Sequence, residues 1–126
     1  EIAPRTHNSG HFSIEACTSS QFDQHICIST GITTPEILMK SEGSLMVNLL
    51  GLKKDYSLAL KERLRRLSEL DGANLHWYGK SKETFGRKMG HITFLLDEIN
   101  YEKRLQKSQN IIRSIRQIWP SPYNKN

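Results

Sequence analysis

Two segments that alternate between apolar and polar residues, joined by a short polar connection, constrain the fold most. Residues 74–80 and 87–95 are rich in aromatic and β-branched side chains, which is typical of strands. The connection at residues 81–86 ends in a glycine. We therefore predict an antiparallel hairpin or near-hairpin from these residues. A further short strand is predicted at residues 44–50, which Gly51 closes.

Helical patterns lie on both sides of the predicted hairpin. Before it, Ser57 is the predicted N-cap of a helix with one apolar stripe, made of Leu60, Leu64, Leu67 and Leu70. We expect this helix to be a solvated amphipathic element with internal charge pairs. After the hairpin, residues 98–118 form a second helix that Pro120 ends and that packs against the sheet. Its predicted stripe consists of Tyr101, Leu105, Ile112, Ile115 and Trp119, widened by Ile111 and Ile118.

Residues 12–31 carry a shorter helical pattern. A helical turn is predicted at residues 12–17, followed by a helix that begins at a capping box formed by Thr18 and Gln21 and ends at Gly31. The apolar side chains of this helix predict one buried face, formed by Phe22, Ile26 and Cys27. We expect His25, in the middle of the helix, to be half-exposed and structural, because no second metal ligand lies at helical spacing.

Residues 32–43 are interpreted as a connection. We place a domain boundary near Lys40, which gives one unit at residues 1–40 and a second at residues 41–126. Short strands that pair antiparallel and are packed by helices make the predicted fold class α+β.

The first eleven residues combine charged and hydrogen-bonding groups with only one large apolar side chain, which is not the composition of a core. If Pro4 keeps this segment extended, alternation places Glu1, Ala3, Arg5 and His7 on one face. A carboxylate suits magnesium, a guanidinium suits a planar oxyanion, and an imidazole can carry a proton near neutral pH. The segment therefore predicts a site for a metal-bound nucleotide and a small anion. The alternative is a polar loop with solvated charges.

Basic residues bracket the tip of the predicted hairpin. Lys80 ends the first strand, and Arg87 with Lys88 begins the second. Like charges crowded at one end of a sheet repel each other, so a bound phosphate would relieve the repulsion. The alternative is a basic turn that protects a sheet edge from pairing. For His76 and His91, a structural hydrogen-bond network is favoured over contact with a neighbouring chain.

The net charge of +5 favours anionic partners, but the basic residues are scattered among acidic ones. A nucleic-acid role is therefore not favoured, and phosphorylated metabolites explain the charge equally well. Cys17 and Cys27 lack a metal-site spacing and are predicted to be reduced packing residues within helices. No apolar run has the length of a membrane span, and no signal peptide is recognisable, so we expect a cytoplasmic protein.

Both motifs resemble one enzyme family. Glu-Ile-Ala-Pro-Arg-x-His-Asn-Ser-Gly-His at the start, and His-Trp-Tyr-Gly-Lys followed by Gly-Arg-Lys-Met-Gly-His later, resemble 5-(carboxyamino)imidazole ribonucleotide synthases of the ATP-grasp superfamily. The resemblance implies that residues 1–40 are the end of an ATP-grasp domain and residues 41–126 a small C-terminal domain. ATP-grasp enzymes are far longer than 126 residues, so we expect a C-terminal fragment that does not turn over ATP by itself.

The resemblance also implies roles for individual residues. Glu1 is a magnesium ligand of the ATP site, Arg5 holds bicarbonate and carboxyphosphate, and His7 orients the substrate amine or moves a proton. Substrate binding is assigned to the remaining group, which consists of Asn8, Ser9, Lys80, Arg87 and Lys88, with Lys80 and Arg87 on the 5′-phosphate. One departure is Ala3, which replaces a metal-binding asparagine found in many ATP-grasp relatives.

The implied activity is ligation that consumes ATP with Mg²⁺. Bicarbonate would carboxylate the exocyclic amine of 5-aminoimidazole ribonucleotide during purine biosynthesis, and the complete enzyme is expected to be a homodimer without nucleic-acid or membrane partners. Two alternatives stay open: a related ATP-grasp carboxylase or formyl-transfer enzyme, and a non-catalytic module that binds anions or phosphate.

Overall fold

The structure is a computed structural model that describes residues 2–52 and 58–123. Its elements are a 3₁₀ turn at Asn8–Gly10, followed by α1 (Ser13–Ala16), α2 (Gln21–Thr30), β1 (Gly43–Leu50), α3 (Leu60–Ser68), β2 (Asn74–Trp77), β3 (Lys88–Leu96) and α4 (Tyr101–Ile118). The predicted α+β class is confirmed. The predicted cap Ser57 lies outside the described residues.

The three strands form one antiparallel sheet in the order β1-β3-β2. The hairpin of β2 and β3 is confirmed, but β2 ends at Trp77 rather than at the predicted Lys80. The reason is Gly79, whose φ of 64° is left-handed and turns the chain out of the strand. Residues 78–87, which we call the tip loop, therefore connect the two strands. At Gly90 the strands approach so closely that an added Cβ would collide with the His76 carbonyl oxygen.

The hydrophobic core lies on one face of the sheet. Alternate strand residues, including Val47, Leu49, Ile92 and Phe94, point to this face and pack against α3 and α4. The leucine stripe of α3 is confirmed, since Leu67 is fully buried and Leu60, Leu64 and Leu70 pack against the same core. The helix is thus part of the core layer rather than mainly solvated.

The stripe predicted for α4 is confirmed only in its C-terminal half. Ile115 and Trp119 are fully buried, and Ile111 and Ile118 pack beside them. Tyr101, Leu105 and Ile112 are exposed, so the prediction is wrong for these residues. At the N-terminal end, Arg104 instead lies toward the sheet edge at Gly43, and its guanidinium donates to the Glu98 carbonyl at 2.7 Å.

The helix α2 begins at a different cap from the predicted one. Ser20 is its N-cap and forms a capping box with Asp23, in place of the predicted pair Thr18 and Gln21. Gly31 ends the helix in the left-handed conformation, as predicted. The predicted buried face is wrong, because Phe22 and Ile26 are exposed and α2 contributes no buried residue to the part of the chain that the structure describes.

Residues 32–42 form the predicted connection, which pairs with the end of α1 through an isolated bridge between Cys17 and Met39. Both cysteines are free thiols; Cys17 is buried at the end of α1, and Cys27 is half-buried in α2. The domain boundary near Lys40 stays a prediction.

A buried ion pair ties the tip loop to the core. Arg63, only 4% exposed on α3, contacts Glu83 of the tip loop at 2.9 Å, and its guanidinium lies 4.2 Å from the centre of the Trp119 ring. Glu83 also accepts the Leu52 backbone N–H at 2.9 Å. Burial raises the pKa of Glu83, but the bonds from Arg63 and Leu52 outweigh this and hold it below the ordinary carboxyl value.

Replacing Glu83→Gln should destabilise the fold by about 3 kcal/mol at neutral pH, because a buried guanidinium loses its counter-charge. Urea denaturation followed by tryptophan fluorescence measures this. A depressed carboxyl pKa stabilises the fold above the unfolded-state value, and the contribution is lost as pH falls through the folded-state value. The difference in the free energy of unfolding between wild type and Glu83→Gln should therefore become smaller at acidic pH.

The matched control for this prediction is Glu69→Gln, which breaks an exposed pair with Arg65. Because solvent screens exposed charges, this variant should stay close to wild type in its free energy of unfolding. Equal effects of Glu83→Gln and Glu69→Gln would contradict the prediction.

Candidate functional site

The candidate site lies on the face of the sheet opposite the core. In the strand register, His91 of β3 pairs with Asn48 of β1 on one side and with His76 of β2 on the other. Because side chains alternate along strands, this polar row faces away from the neighbouring core residue Ile92. The segment from the 3₁₀ turn through α1 covers the polar row, which is therefore partly or fully buried.

The opening segment bends rather than running extended. Bends occur at Pro4 and Arg5, so the described part of this segment departs from the extended conformation on which the predicted common face depends. Ala3 and Arg5 line an open groove of about 380 Å³ against α2, and the Arg5 guanidinium donates to the Thr6 carbonyl at 3.3 Å.

Gln21, the first residue of α2, fixes the turn that follows these bends. Its side-chain oxygen accepts the His7 backbone N–H at 2.9 Å, and its side-chain nitrogen donates to the His7 carbonyl at 2.8 Å. The same nitrogen lies 2.6 Å from Nδ1 of His11. One carboxamide thus holds both histidines of the opening segment.

Asn8 and Ser9 lie beside β1. The Asn8 amide nitrogen donates to Oδ1 of Asn48 at 2.9 Å, and the Ser9 hydroxyl lies 2.9 Å from Nδ1 of His7. Asn8, Ser9 and Asn48 line an open groove of about 510 Å³, together with Phe12, Ser44 and Met46. This substrate-sized groove runs along the polar face of the sheet.

Three imidazoles and one carboxylate form a histidine stack, which consists of His11, His76, His91 and Glu15. His76 and His91 are nearly parallel, with ring centres 4.5 Å apart, and His11 lies 5.2 Å from His91. Glu15 pairs with Nε2 of His76 at 2.6 Å. Burial, followed by repulsion from His76 and His11, lowers the pKa of His91 to about 4, so this ring is neutral at pH 7. Burial also lowers the pKa of His11, with smaller contributions from His7, His76 and Lys88.

The ligand atoms of Glu15, His76 and His91 lie within 4.8 Å of one another, which raises the question of a metal site. Two imidazoles bind one ion only if their ring planes meet at it, because each lone pair lies in its ring plane. The rings of His76 and His91 are only 15° from parallel, so their lone pairs do not converge. The geometry therefore favours a hydrogen-bonded stack over a metal centre.

Tyr78, the first residue of the tip loop, joins the two sequence motifs. Its hydroxyl lies 2.8 Å from Nδ1 of His91, and its ring lies beneath the Lys80 ammonium, 5.3 Å from ring centre to nitrogen. Burial raises the Tyr78 pKa. The His11 ring of the opening segment lies edge-on to the Tyr78 ring, with ring centres 6.4 Å apart. Groups of the opening segment and of the tip loop therefore meet at one phenol.

The tip loop is held at both ends. Gly51 exchanges backbone hydrogen bonds with Gly86 and Arg87 at 2.9 and 2.8 Å, and Lys80 donates to the Lys88 carbonyl. Gly86 has a φ of 72° and lies against the Tyr123 hydroxyl, so its missing side chain serves the turn and its packing. Arg87 and Lys88 are exposed at the start of β3.

Comparison with known proteins gives a separate family match for each of the two sequence motifs. Residues 1–22 match the family described as ATP-grasp domain, and residues 44–105 match the family described as phosphoribosylaminoimidazole carboxylase C-terminal domain. The chain is 43% identical over 122 residues to N5-carboxyaminoimidazole ribonucleotide synthase of Synechococcus elongatus, an alignment that covers 97% of the chain and 31% of that relative. The chain belongs to this synthase family.

Solved structures of family members have the same fold. The synthetase of Thermus thermophilus superposes with a TM-score of 0.74 at 32% identity, covering 99% of the chain and 30% of that protein. The Aspergillus clavatus synthase, in complex with ADP and 5-aminoimidazole ribonucleotide, gives a TM-score of 0.71 at 30% identity over 91% of the chain and 30% of that protein. The chain thus spans about a third of the length of these synthases.

The synthase-family motifs are brought together only in part. The His11 ring lies 6.4 Å from the Tyr78 ring, and the Tyr78 ring lies under the Lys80 ammonium. Arg5 lies in the separate groove against α2, away from the residues of the tip loop. Glu1, the predicted metal ligand, lies outside the described residues. The site roles predicted for this family from the sequence stay predictions.

Sequence reasoning missed several residues that build the site, namely Glu15, Asn48 and Tyr78, and left the roles of His76 and His91 open. A signal existed for Asn48, which interrupts an apolar strand between Val47 and Leu49. His91 gives a similar signal, because it is a polar residue between Gly90 and Ile92 in a predicted strand.

Within residues 2–52 and 58–123, no helix combines the length and apolar character needed to cross a bilayer.

Because the folded state keeps His91 neutral, stability should decrease as pH falls from 6.5 to about 4, where the unfolded imidazole takes up a proton that the folded one does not. His91→Asn should make this pH dependence shallower, because the number of protons taken up on unfolding falls by up to one. Urea denaturation at a series of pH values measures the slope. His25→Gln, on the exposed side of α2, is the control and should leave the slope unchanged. Equal slopes for wild type and His91→Asn would refute the assignment.

Proposed function

We propose that the complete protein is an ATP-dependent ligase that carboxylates the exocyclic amine of 5-aminoimidazole ribonucleotide with bicarbonate. The products are the N-carboxylated ribonucleotide, ADP and phosphate. Membership of the synthase family supports this proposal, as does the Aspergillus clavatus relative, whose structure contains ADP and this ribonucleotide. The observation that carries it is the junction at Tyr78, where the His11 ring of the first motif lies 6.4 Å from the Tyr78 ring and the Lys80 ammonium of the second motif lies over that ring.

The proposed chemistry proceeds in two stages. Bicarbonate attacks the terminal phosphoryl group of ATP, which releases ADP and forms carboxyphosphate. Carboxyphosphate releases phosphate and carbon dioxide, and the substrate amine attacks the carbon dioxide and loses a proton. Arg5 binds bicarbonate and then carboxyphosphate through its paired N–H donors. His7, held by Gln21 and next to Ser9, orients the amine or moves its proton.

Magnesium is part of the proposal through Glu1. No other carboxylate occurs in the first twelve residues, so Glu1 is the only charged oxygen ligand that this segment offers. When bound with ATP, the ion neutralises charge that develops on the phosphates. The homodimer and the cytoplasmic location stay predictions.

The tip loop is proposed to bind the 5′-phosphate. Lys80 and Arg87 form the clamp with Lys88 beside them, and ammonium and guanidinium donors suit phosphate oxygens. The Arg63–Glu83 pair holds the loop against the core, so the clamp is positioned before the substrate arrives. Contacts with the phosphate, remote from the amine, then help to place the amine at the reacting carbon.

Lys80→Ala or Arg87→Ala in the full-length enzyme should raise the KM for 5-aminoimidazole ribonucleotide about 10- to 100-fold, because each removes a charge-assisted hydrogen bond to phosphate. Steady-state kinetics at saturating ATP and bicarbonate measure this. Lys82→Ala is a matched control, since Lys82 is an exposed lysine of the same loop, and its KM should stay near that of wild type. A normal KM for both clamp variants would remove the phosphate clamp from the proposal.

Arg5→Ala in the full-length enzyme should lower bicarbonate-dependent ATP hydrolysis by about 100-fold, the scale typical of a lost donor to a developing anion. Release of phosphate with and without bicarbonate measures this. Arg113→Ala, at an exposed arginine of α4, is the control. Full activity of Arg5→Ala would exclude Arg5 from the chemistry.

A further inference from the structure

The orientation of the Gln21 carboxamide is fixed by two backbone groups of His7. The His7 backbone N–H can only donate, and it donates to the side-chain oxygen of Gln21 at 2.9 Å. The His7 carbonyl can only accept, and it accepts from the side-chain nitrogen at 2.8 Å. Gly10 lies against this side chain, since an added Cβ would come within 2.6 Å of the carboxamide oxygen. The oxygen and the nitrogen of the Gln21 carboxamide therefore cannot exchange places.

This orientation sets the position of the proton on the His11 ring. The side-chain nitrogen of Gln21 carries two hydrogens and acts only as a donor. It lies 2.6 Å from Nδ1 of His11, so Nδ1 is the acceptor in this bond. A neutral imidazole that accepts at Nδ1 carries its single proton on Nε2. Nε2 of His11 is therefore an N–H donor, and a second proton on the ring would place two donors against each other.

The surroundings of His11 favour the same neutral form. Burial lowers the pKa of His11, and repulsion from His7, His76 and Lys88 lowers it further. An imidazole whose pKa lies below its ordinary value of 6.5 is mostly neutral at pH 7. His11 thus acts as a fixed hydrogen-bond donor rather than as a cation.

The donor group of His11 is open to a ligand. Among the residues that the structure describes, Nε2 of His11 makes no hydrogen bond. The His11 side chain is only half-buried, and its Nε2, unlike Nε2 of His91, is not shut off from solvent. The ring thus uses one nitrogen to hold its form and keeps the other for an acceptor from outside the chain.

His11 lies between the two ends of the proposed substrate site. Gln21 ties it to His7, which is proposed to act at the amine. On its other side, the His11 ring is edge-on to Tyr78, whose ring lies under the Lys80 ammonium of the proposed phosphate clamp. In a ribonucleotide, the ribose lies between the base and the phosphate. A neutral N–H suits a hydroxyl oxygen, whereas the cations of the tip loop suit the phosphate.

We propose that His11 is a substrate-binding residue whose Nε2–H donates a hydrogen bond to a ribose hydroxyl oxygen of the ribonucleotide, and that Gln21 is the positioning residue that holds His11 in this form. This inference rests on the proposed function, which places the substrate between His7 and Lys80. It gives the sugar a binding residue, in addition to those proposed for the amine and the phosphate.

The proton position is measured by ¹⁵N NMR of the full-length enzyme labelled at histidine, because protonated and unprotonated ring nitrogens differ in chemical shift. Loss of signals in His11→Phe identifies the His11 ring. In wild type at pH 7, its Nδ1 should be unprotonated and its Nε2 protonated. Gln21→Glu replaces the donor by a carboxylate, so Nδ1 should gain a proton and the His11 pKa should rise. A wild-type proton on Nδ1, or an unprotonated Nδ1 in Gln21→Glu, would overturn the inference.

The matched control for this measurement is Gln109→Glu, the same chemical change on the exposed side of α4. It should leave the His11 signals as they are in wild type. A shift of these signals equal to that in Gln21→Glu would show that the carboxamide does not set the form of His11, which also overturns the inference.

The contact with the sugar is tested by steady-state kinetics of the full-length enzyme with substrate analogues. His11→Phe should raise the KM for 5-aminoimidazole ribonucleotide about ten-fold, the scale of one hydrogen bond, and change kcat less than three-fold. In wild type, the 2′-deoxy or the 3′-deoxy analogue should show a similar rise in KM. That same analogue should raise the KM of His11→Phe less than two-fold further, because the bond is already lost.

A wild-type KM in His11→Phe, or losses that multiply for both deoxy analogues, would overturn the contact with the sugar. Failure of the wild-type enzyme to carboxylate the ribonucleotide would instead overturn the proposed function. The NMR measurement needs no turnover, so the two failures are distinguishable.

Discussion

The ion pair of Arg63 and Glu83 is the constraint on which the arrangement of the site depends. A buried guanidinium is tolerated only with a counter-charge, and Arg63 finds its carboxylate in the tip loop rather than on its own helix. The Trp119 ring contacts the other side of the guanidinium, and its indole N–H donates to the Leu50 carbonyl at 2.8 Å. Helix, loop, first strand and C-terminal helix are therefore fixed relative to one another by one charged group.

The sheet uses one sequence pattern for two purposes. The apolar residues at alternate positions of each strand build the core against α3 and α4. The residues between them form the polar row under the opening segment. A register slip of one residue would move His91 into the core and Ile92 into the site. Correct pairing of β3 with both neighbours thus builds the core and the site in the same step.

The parts of the fold that depend on local periodicity could be predicted from the sequence. The hairpin, the strand at β1 and the leucine stripe of α3 are examples, because alternation and helical spacing are visible within a few residues. The parts that depend on distant contacts could not. Nothing near Asn48 indicates that it meets Asn8, and the apolar pattern of α2 is not matched by burial, because Phe22 and Ile26 are exposed. Arg63 could have been noticed, because it shares a helical face with Leu60 and Leu67.

The sheet is sensitive to any substitution at Gly90 that adds a Cβ atom. The absent side chain lets β2 and β3 approach until the His76 carbonyl occupies the space that a Cβ would need. An alanine there would act as a wedge between the strands that carry His76 and His91, although it alters no charge and removes no ligand. Loss of activity from such a substitution would therefore be a mechanical effect, transmitted to the imidazoles by the backbone.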